Sequence, residues 1–258
     1  MDTHVTEVNW AWEDPTVQDI LLKYYKSLLF CSPKQAVGIV DRLLGFVSLT
    51  PPASVLDIGC GLGTQAAEFA RRGCQVTAFD PGDRYLALAI EHASAVGANI
   101  EFRNMKTSDL REISRFCLAW GGNICFGQLT IDELAHDLSR VLDALRPGGW
   151  FACIVVAEWP TQIATERTRN WDELDDCYVL IEKWRDDEFR HEHCSFVYPK
   201  DNRMIKIIER ERLYGPVKIA ALLKQLGFVD VETFASLSAS APAQEGNNFV
   251  FRCRKPRC

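Results

Sequence analysis

No two of the ten cysteines in this 258-residue chain stand in a C-x-x-C pair. They are scattered, most of them inside apolar runs, as Cys60, Cys125 and Cys153 are. That gives zinc and thioredoxin-like chemistry little support, and no metal site is expected. Free thiols in a reducing cytoplasm are the expectation instead. Long apolar stretches are missing as well: none reaches about eighteen residues, and the first residues show no signal-peptide pattern, so no membrane partner is expected. Basic runs are scarce. The net charge is −6, and the one basic cluster, at 252–257, reads as a solvated tail. A nucleic-acid groove needs a basic face, so no nucleic-acid partner is expected. Repeats and low-complexity tracts are absent, and 236–247 is the single long small-residue loop. What the chain has in quantity is apolar: 47% hydrophobic residues, ample for one large domain, or one domain with a small cap.

The apolar residues fall into two periods. Asp14-Pro15 and Ser32-Pro33 each place an N-cap before a proline. Val17, Ile20, Leu21, Tyr24 and Leu28 follow the first at helical spacing, and Val37, Val40, Leu43, Leu44 and Val47 follow the second. Two N-terminal helices are therefore expected. Strands are expected at 55–58, 75–79, 100–103, 116–120 and 150–157, with helices at 65–72, 83–96 and 131–145 between them. Alternation of this kind predicts an α/β domain with a mostly parallel sheet. The pattern then breaks. Residues 159–175 are polar and read as helix or loop, and 177–213 alternate with period two. His191 and His193 share one face of a strand with Phe189, while Arg190, Glu192 and Phe196 share the other. This stretch reads as a two- or three-stranded antiparallel cap. A last helix begins near Gly215-Pro216 and ends at Gly227, and a strand at 248–253 follows.

The strongest signal is at 55–64, VLDIGCGLGT, followed by VTAFDP with Asp80. A strand feeds a turn with Gly59, Gly61 and Gly63, where backbone can approach a ligand without Cβ interference. A helix follows, with Thr64 as its expected N-cap. The next strand ends in Asp80, an acid placed to accept both hydroxyls of a ribose. The dinucleotide pattern G-x-G-x-x-G fails, because its third glycine position is Thr64. Instead 57–63 reads D-x-G-x-G-x-G. An acid before the first glycine repels a pyrophosphate and suits a cofactor with an ammonium group.

At this point the chain resembles the class I S-adenosylmethionine-dependent methyltransferases. The likeness extends to RVLDALRPGGWF at 140–151 and LLKQLGFVDV at 222–231, and covers roughly 47–157 and 214–253. It implies a Rossmann-like, seven-stranded, mostly parallel sheet with helices on both faces, with the strand at 248–253 antiparallel. The expected organisation is an N-terminal helical segment at 1–48, a core at 49–160 and 214–258, and an inserted antiparallel β cap at 161–213. The resemblance implies S-adenosylmethionine as cofactor. Asp57, Gly59, Cys60 and Gly61 would hold its methionine part, Asp80 the ribose, and Pro81 the adenine edge. The family often has an acid after the third strand for the adenine amino group. Here that position is Lys106, which cannot accept the bond. Met105, Lys106 and Thr107 can meet the adenine through backbone and stem, or Asp109 can reach in. Gly121-Gly122-Asn123 is similar to the small-molecule branch that includes glycine N-methyltransferase, with Gly121 and Asn123 over the cofactor. A plain turn also explains it.

Methyl transfer needs an aligned acceptor more than a base. Glu158, His191 and His193 are the candidate catalytic groups, each with an ordinary structural role as alternative. Glu209 and Arg210 read as cross-strand ion pairs. Aromatic residues outside the core, among them Trp10, Trp12 and Trp184, suit a small organic acceptor or ordinary packing. The expected activity is methyl transfer to an oxygen or nitrogen of a small metabolite. The rival readings are a protein or RNA methyltransferase and a non-catalytic cofactor-binding regulatory subunit. The exposed edge of a cap sheet allows a homodimer. Asp80→Ala is expected to abolish cofactor binding with the fold intact.

Overall fold

The computed structural model describes residues 4–124, 126–156, 165–238 and 248–257. In chain order it contains β1 (His4–Asn9), α1 (Pro15–Tyr24), α2 (Lys26–Leu29), α3 (Pro33–Phe46), β2 (Ser54–Ile58), α4 (Thr64–Arg71), β3 (Gln75–Asp80), α5 (Asp83–Ala95), β4 (Ile100–Asn104), β5 (Phe116–Ile124), α6 (Ile131–Ala144), β6 (Leu145–Val156), β7 (Thr168–Glu173), β8 (Tyr178–Arg185), β9 (Phe189–Tyr198), β10 (Arg203–Arg212), α7 (Pro216–Gln225), β11 (Val229–Phe234) and β12 (Asn248–Arg254).

Seven strands form the main sheet in the order β11-β12-β6-β5-β2-β3-β4. Six run in one direction, and β12 alone is antiparallel, to both β6 and β11, as the resemblance implied. The sheet is buried on both faces. α6 and α7 close one face with Leu134, Leu138, Val141, Ile219 and Leu223. α3 and α4 close the other with Val40, Leu43, Ala66 and Phe69, around the fully buried Trp120. Caps set the helix starts. Asp14 accepts from Thr16 and Val17 N–H, and Ser32 and Gln35 form a reciprocal box. Thr130 and Glu133 form another at the head of α6. Thr130→Ala removes one half of that box and is expected to cost about 1 kcal/mol, read as a shift in denaturation midpoint with unchanged slope.

Several boundaries differ from the sequence reading. Thr64 is the first helical residue of α4, not its cap; its hydroxyl donates to the Cys31 carbonyl at 2.9 Å, and Gly63 stands at the cap. β5 continues through Gly121-Gly122-Asn123 as strand. Pro147-Gly148-Gly149 lies within β6, where the register against β5 slips. Gly149 is required there: a Cβ would lie 2.9 Å from the Phe116 carbonyl oxygen.

The second sheet is larger than expected, with five strands in the order β1-β10-β9-β8-β7. β7 to β10 are antiparallel, as the cap reading required, and β7 occupies part of the polar stretch at 159–175. β1 was not legible, and it pairs parallel with β10 from His4↔Arg203 to Asn9↔Ile208. The inserted cap is therefore not purely antiparallel, and the N-terminal segment supplies one of its strands. Its inner face, with Val179, Phe196, Ile205 and Ile207, packs on Val17, Ile20 and Leu21 of α1 and on Tyr85 of α5. α1 is thus held between the second sheet and the α/β core.

Candidate functional site

The carboxyl ends of β2 and β3 meet at one point, because the two strands pair in parallel with Asp57 opposite Ala78 and Ile58 opposite Phe79. Beyond Ile58 the chain turns through Gly59, Gly61 and Gly63, with φ of 64°, 53° and 69°. Left-handed backbone costs an ordinary L residue roughly 1–2 kcal/mol. At Gly59 a Cβ would have no heavy atom within 4 Å, so the turn bares its backbone to open space on that side. Cys60 ties the turn to β3 through N–H donation to the Phe79 carbonyl at 3.0 Å. Phe30, just after α2, lies over Gly61, with its ring 3.1 Å from where a Cβ would stand.

Asp57 is 3% exposed, and its Oδ2 has no hydrogen-bond partner. Burial, and after it the neighbouring Asp80, push its carboxyl up to about 8, against a bond from the Ala66 N–H at the head of α4. A buried acceptor without a donor is costly. A cationic donor placed against it would draw off the proton and relieve that cost. Asp80 ends β3. Its Oδ2 accepts from the Gly61 N–H at 2.9 Å and its Oδ1 from the Gly82 N–H at 2.8 Å. Burial raises it to about 6, and those two bonds pull the other way. Each oxygen keeps a further lone pair, enough for two adjacent hydroxyls.

Around Asp80 the structure gathers the other residues expected there. The Pro81 carbonyl accepts from Asn104 Nδ2 at 3.0 Å, and the Met105 N–H donates to the Asp80 carbonyl at 3.3 Å. Thr107 opens a single 3-10 turn. The Lys106 ammonium is ion-paired with Glu13, in the turn before α1. Asp109 does not reach in; its Oδ2 accepts from the Lys106 N–H at 3.2 Å. Gly121 lies on β5, one position beyond the Asp57↔Trp120 pair, and the Trp120 indole donates to Gln65 of α4 at 2.6 Å. Asn123 is described only as backbone within β5. Glu158 lies outside the described residues.

His191 and His193 are not brought to this point. They lie on the face of β9 opposite Phe196, whose ring packs against Tyr24 and Tyr25. His191 stacks on Trp184 at 4.8 Å and its Nε2 lies 3.0 Å from an Asp186 oxygen, while His193 meets Trp184 edge-on at 4.7 Å. Arg167 covers the same indole at 3.8 Å. This is an aromatic stack on the outer face of the sheet. Among the described residues no three His, Cys, Asp or Glu side chains group as a metal site.

One further feature is only partly legible in the sequence, and a second went unseen. The first is a charge cluster on the inner face. Arg190 bonds Glu192 at 2.8 Å, Glu209 at 3.0 Å and Glu211 at 2.8 Å, which bears out the cross-strand pairing expected of Glu209. Burial, and then Glu211, push the Glu209 carboxyl up to about 8. Gln128, beyond the end of β5, donates to Glu209 at 3.4 Å and ties the second sheet to the core. The second is a pair of buried polar side chains, Gln18 and Tyr85, at the junction of α1 and α5. Gln18 sits inside the apolar stripe of Val17, Ile20 and Leu21, and that interruption was the available signal.

Known proteins resemble this chain in both sequence and fold. Residues 55–149 match the family model described as a methyltransferase domain. A ubiquinone biosynthesis O-methyltransferase from Cereibacter sphaeroides is 31% identical over 146 residues, which cover 50% of this chain and 58% of that protein. The chain thus matches little more than half the length of that relative. Among solved structures, an S-adenosylmethionine-dependent methyltransferase from Clostridium acetobutylicum superposes with a TM-score of 0.73 at 15% identity, covering 93% of this chain and 98% of the other. The CcbJ methyltransferase from Streptomyces caelestis gives 0.73 at 20% identity, covering 95% and 98%. At such identities the likeness is one of fold.

Proposed function

We propose that this chain, whose residues 55–149 form a methyltransferase domain, transfers the methyl group of S-adenosylmethionine to an oxygen or nitrogen of a small-molecule metabolite. The observation that carries the reading is the pair of buried carboxyls at the open glycine turn. The unpartnered Asp57 Oδ2 fits an ammonium, and Asp80, braced by two backbone donors, fits a ribose. The bared backbone at Gly59 fits the chain between them. Cys60, Gly61 and Gly121 would line the methionine end, with Asn123 beside it through its backbone. Pro81, Met105, Lys106 and Thr107 would line the nucleoside end.

Bound there, the cofactor supplies a methyl carbon already activated by its sulfonium. The protein's share is to orient the two reactants and to exclude water. α1, held down by the second sheet, supplies the cover. Relatives named as ubiquinone biosynthesis O-methyltransferases favour an oxygen acceptor. A neighbour solved with 1,6-didemethyltoxoflavin and S-adenosylhomocysteine is in keeping with a small organic acceptor. The narrower likeness to the glycine N-methyltransferase branch rests on Gly121-Gly122-Asn123 alone. No helix among the described residues is long and apolar enough to cross a membrane. The scattered cysteines favour the cytoplasm as its place of action.

The test is turnover. Purified protein, given labelled S-adenosylmethionine and a panel of phenols, amines and sugars, is expected to methylate at least one of them and release S-adenosylhomocysteine. Tight binding with no transfer to any acceptor would favour the non-catalytic subunit instead.

A further inference from the structure

Gln18 is 0% exposed and Tyr85 1% exposed, and each buries a polar atom, Nε2 and the phenol oxygen, that has no hydrogen-bond partner. Buried polar groups nearly always find partners, so two orphans at one junction ask for an explanation.

Their position supplies it. The Gln18 amide is anchored on α5, where its Oε1 accepts from the Arg84 N–H at 2.9 Å. Tyr85 is the next residue. Its ring lies so close to Gly82 that a Cβ there would stand 2.4 Å from Cδ2 and 3.2 Å from Asp80 Oδ1. The same Gly82 donates its N–H to Asp80. Contacts thus run without a break from Gln18 through Arg84, Tyr85 and Gly82 to Asp80. On the other side of Asp80, the position after β4 offers no acceptor side chain, because Lys106 is a donor and is engaged by Glu13. Glu13 directly precedes the Asp14 cap, so this ion pair pins the head of α1 to the end of β4.

We propose that Gln18 and Tyr85 are binding residues for the adenosine part of the cofactor, supplied by α1 and α5 in place of an acid after β4. This rests on the functional reading above. The Gln18 amide nitrogen can only donate, so it suits an adenine ring nitrogen or a ribose oxygen. The Tyr85 hydroxyl can donate or accept. Both groups are closed off, so α1 has to lift for the nucleoside to enter, and Glu13–Lys106 is the contact that parts.

Tyr85→Phe removes one oxygen atom. Gln18→Met removes the amide, and the Arg84 N–H keeps a second acceptor, Asp83 Oδ1 at 2.8 Å. Calorimetry with S-adenosylhomocysteine should show each variant binding about tenfold more weakly than wild type. The melting temperature of the ligand-free variants should equal or exceed that of wild type, because each loses an unpartnered polar atom. Affinities within twofold of wild type for both variants would overturn the proposal. So would a joint fall of affinity and melting temperature, the mark of a structural role. If wild type itself fails to bind S-adenosylhomocysteine, the functional reading falls, and this proposal with it.

Discussion

Asp80→Asn is expected to weaken S-adenosylhomocysteine binding by about 10²–10³-fold while the protein melts within a few degrees of wild type. A hydrogen bond to a charged group contributes about 1.5–3 kcal/mol. The proposed ribose site has two of them, and the amide loses the charge from both and the acceptor from one. A loss of about 3–4 kcal/mol corresponds to that range. Stability changes little because two effects oppose each other. The variant forfeits one acceptor for the Gly61 or Gly82 N–H, and it no longer buries a carboxylate beside Asp57. Asp80→Ala behaves differently from the sequence-based expectation of an intact fold. It leaves both backbone N–H groups without an acceptor, at about 1–3 kcal/mol each, so the glycine turn itself loosens. A dissociation constant for Asp80→Asn within tenfold of wild type would remove Asp80 from the site.

Binding should also tighten steeply with pH. Asp57 stands at about 8 in the folded protein, well above the unfolded carboxyl near 3.9. Its folded pKa is raised, so the native state holds a proton that the unfolded chain releases. This contribution to stability is complete below about pH 4 and is lost as pH rises towards 8. An ammonium ligand reverses the preference, because it needs the carboxylate. Affinity for S-adenosylhomocysteine should therefore rise about tenfold per pH unit between pH 6 and 8, roughly hundredfold in all. Asp80, at about 6, adds to the lower part of that range. Calorimetry in buffers of different ionisation enthalpy should show close to one proton released on binding at pH 7. Asp57→Asn should release almost none at pH 7 and keep only the shallow dependence near pH 6 that Asp80 supplies. A flat affinity from pH 6 to 8 in wild type, with no proton release, would rule out Asp57 as the partner of the ammonium.

The core was legible because its signals are local. Buried strands, proline-initiated helices and the D-x-G-x-G-x-G turn each declare themselves within a few residues. Asp80 was legible because a parallel βαβ unit puts the end of the second strand beside the first turn. The second sheet was harder. β1 has no buried side pattern of its own, since every residue is exposed or half-exposed, and its pairing with β10 is a tertiary fact. β7 is exposed throughout and looks polar for the same reason. Alternation in β9 showed that His191 and His193 share a face, but only the packing of Phe196 on α1 says that this face is the outer one. Lys106 marked a missing acid; the sequence could not show that Glu13 answers it from the turn before α1.

The parallel pairing of β1 with β10 has a consequence for the order of folding. His4–Asn9 must find Arg203–Ile208, so this contact closes a loop of about three quarters of the 258 residues. Contacts of such sequence separation are slow to form, because closure entropy is spent before they contribute. On the ribosome, β2 to β6 can assemble while the first strand still waits for a partner that has not been synthesised. The strand at 4–9 is thus among the last elements to settle, and α1 is fixed in place only once the second sheet exists to pack against it.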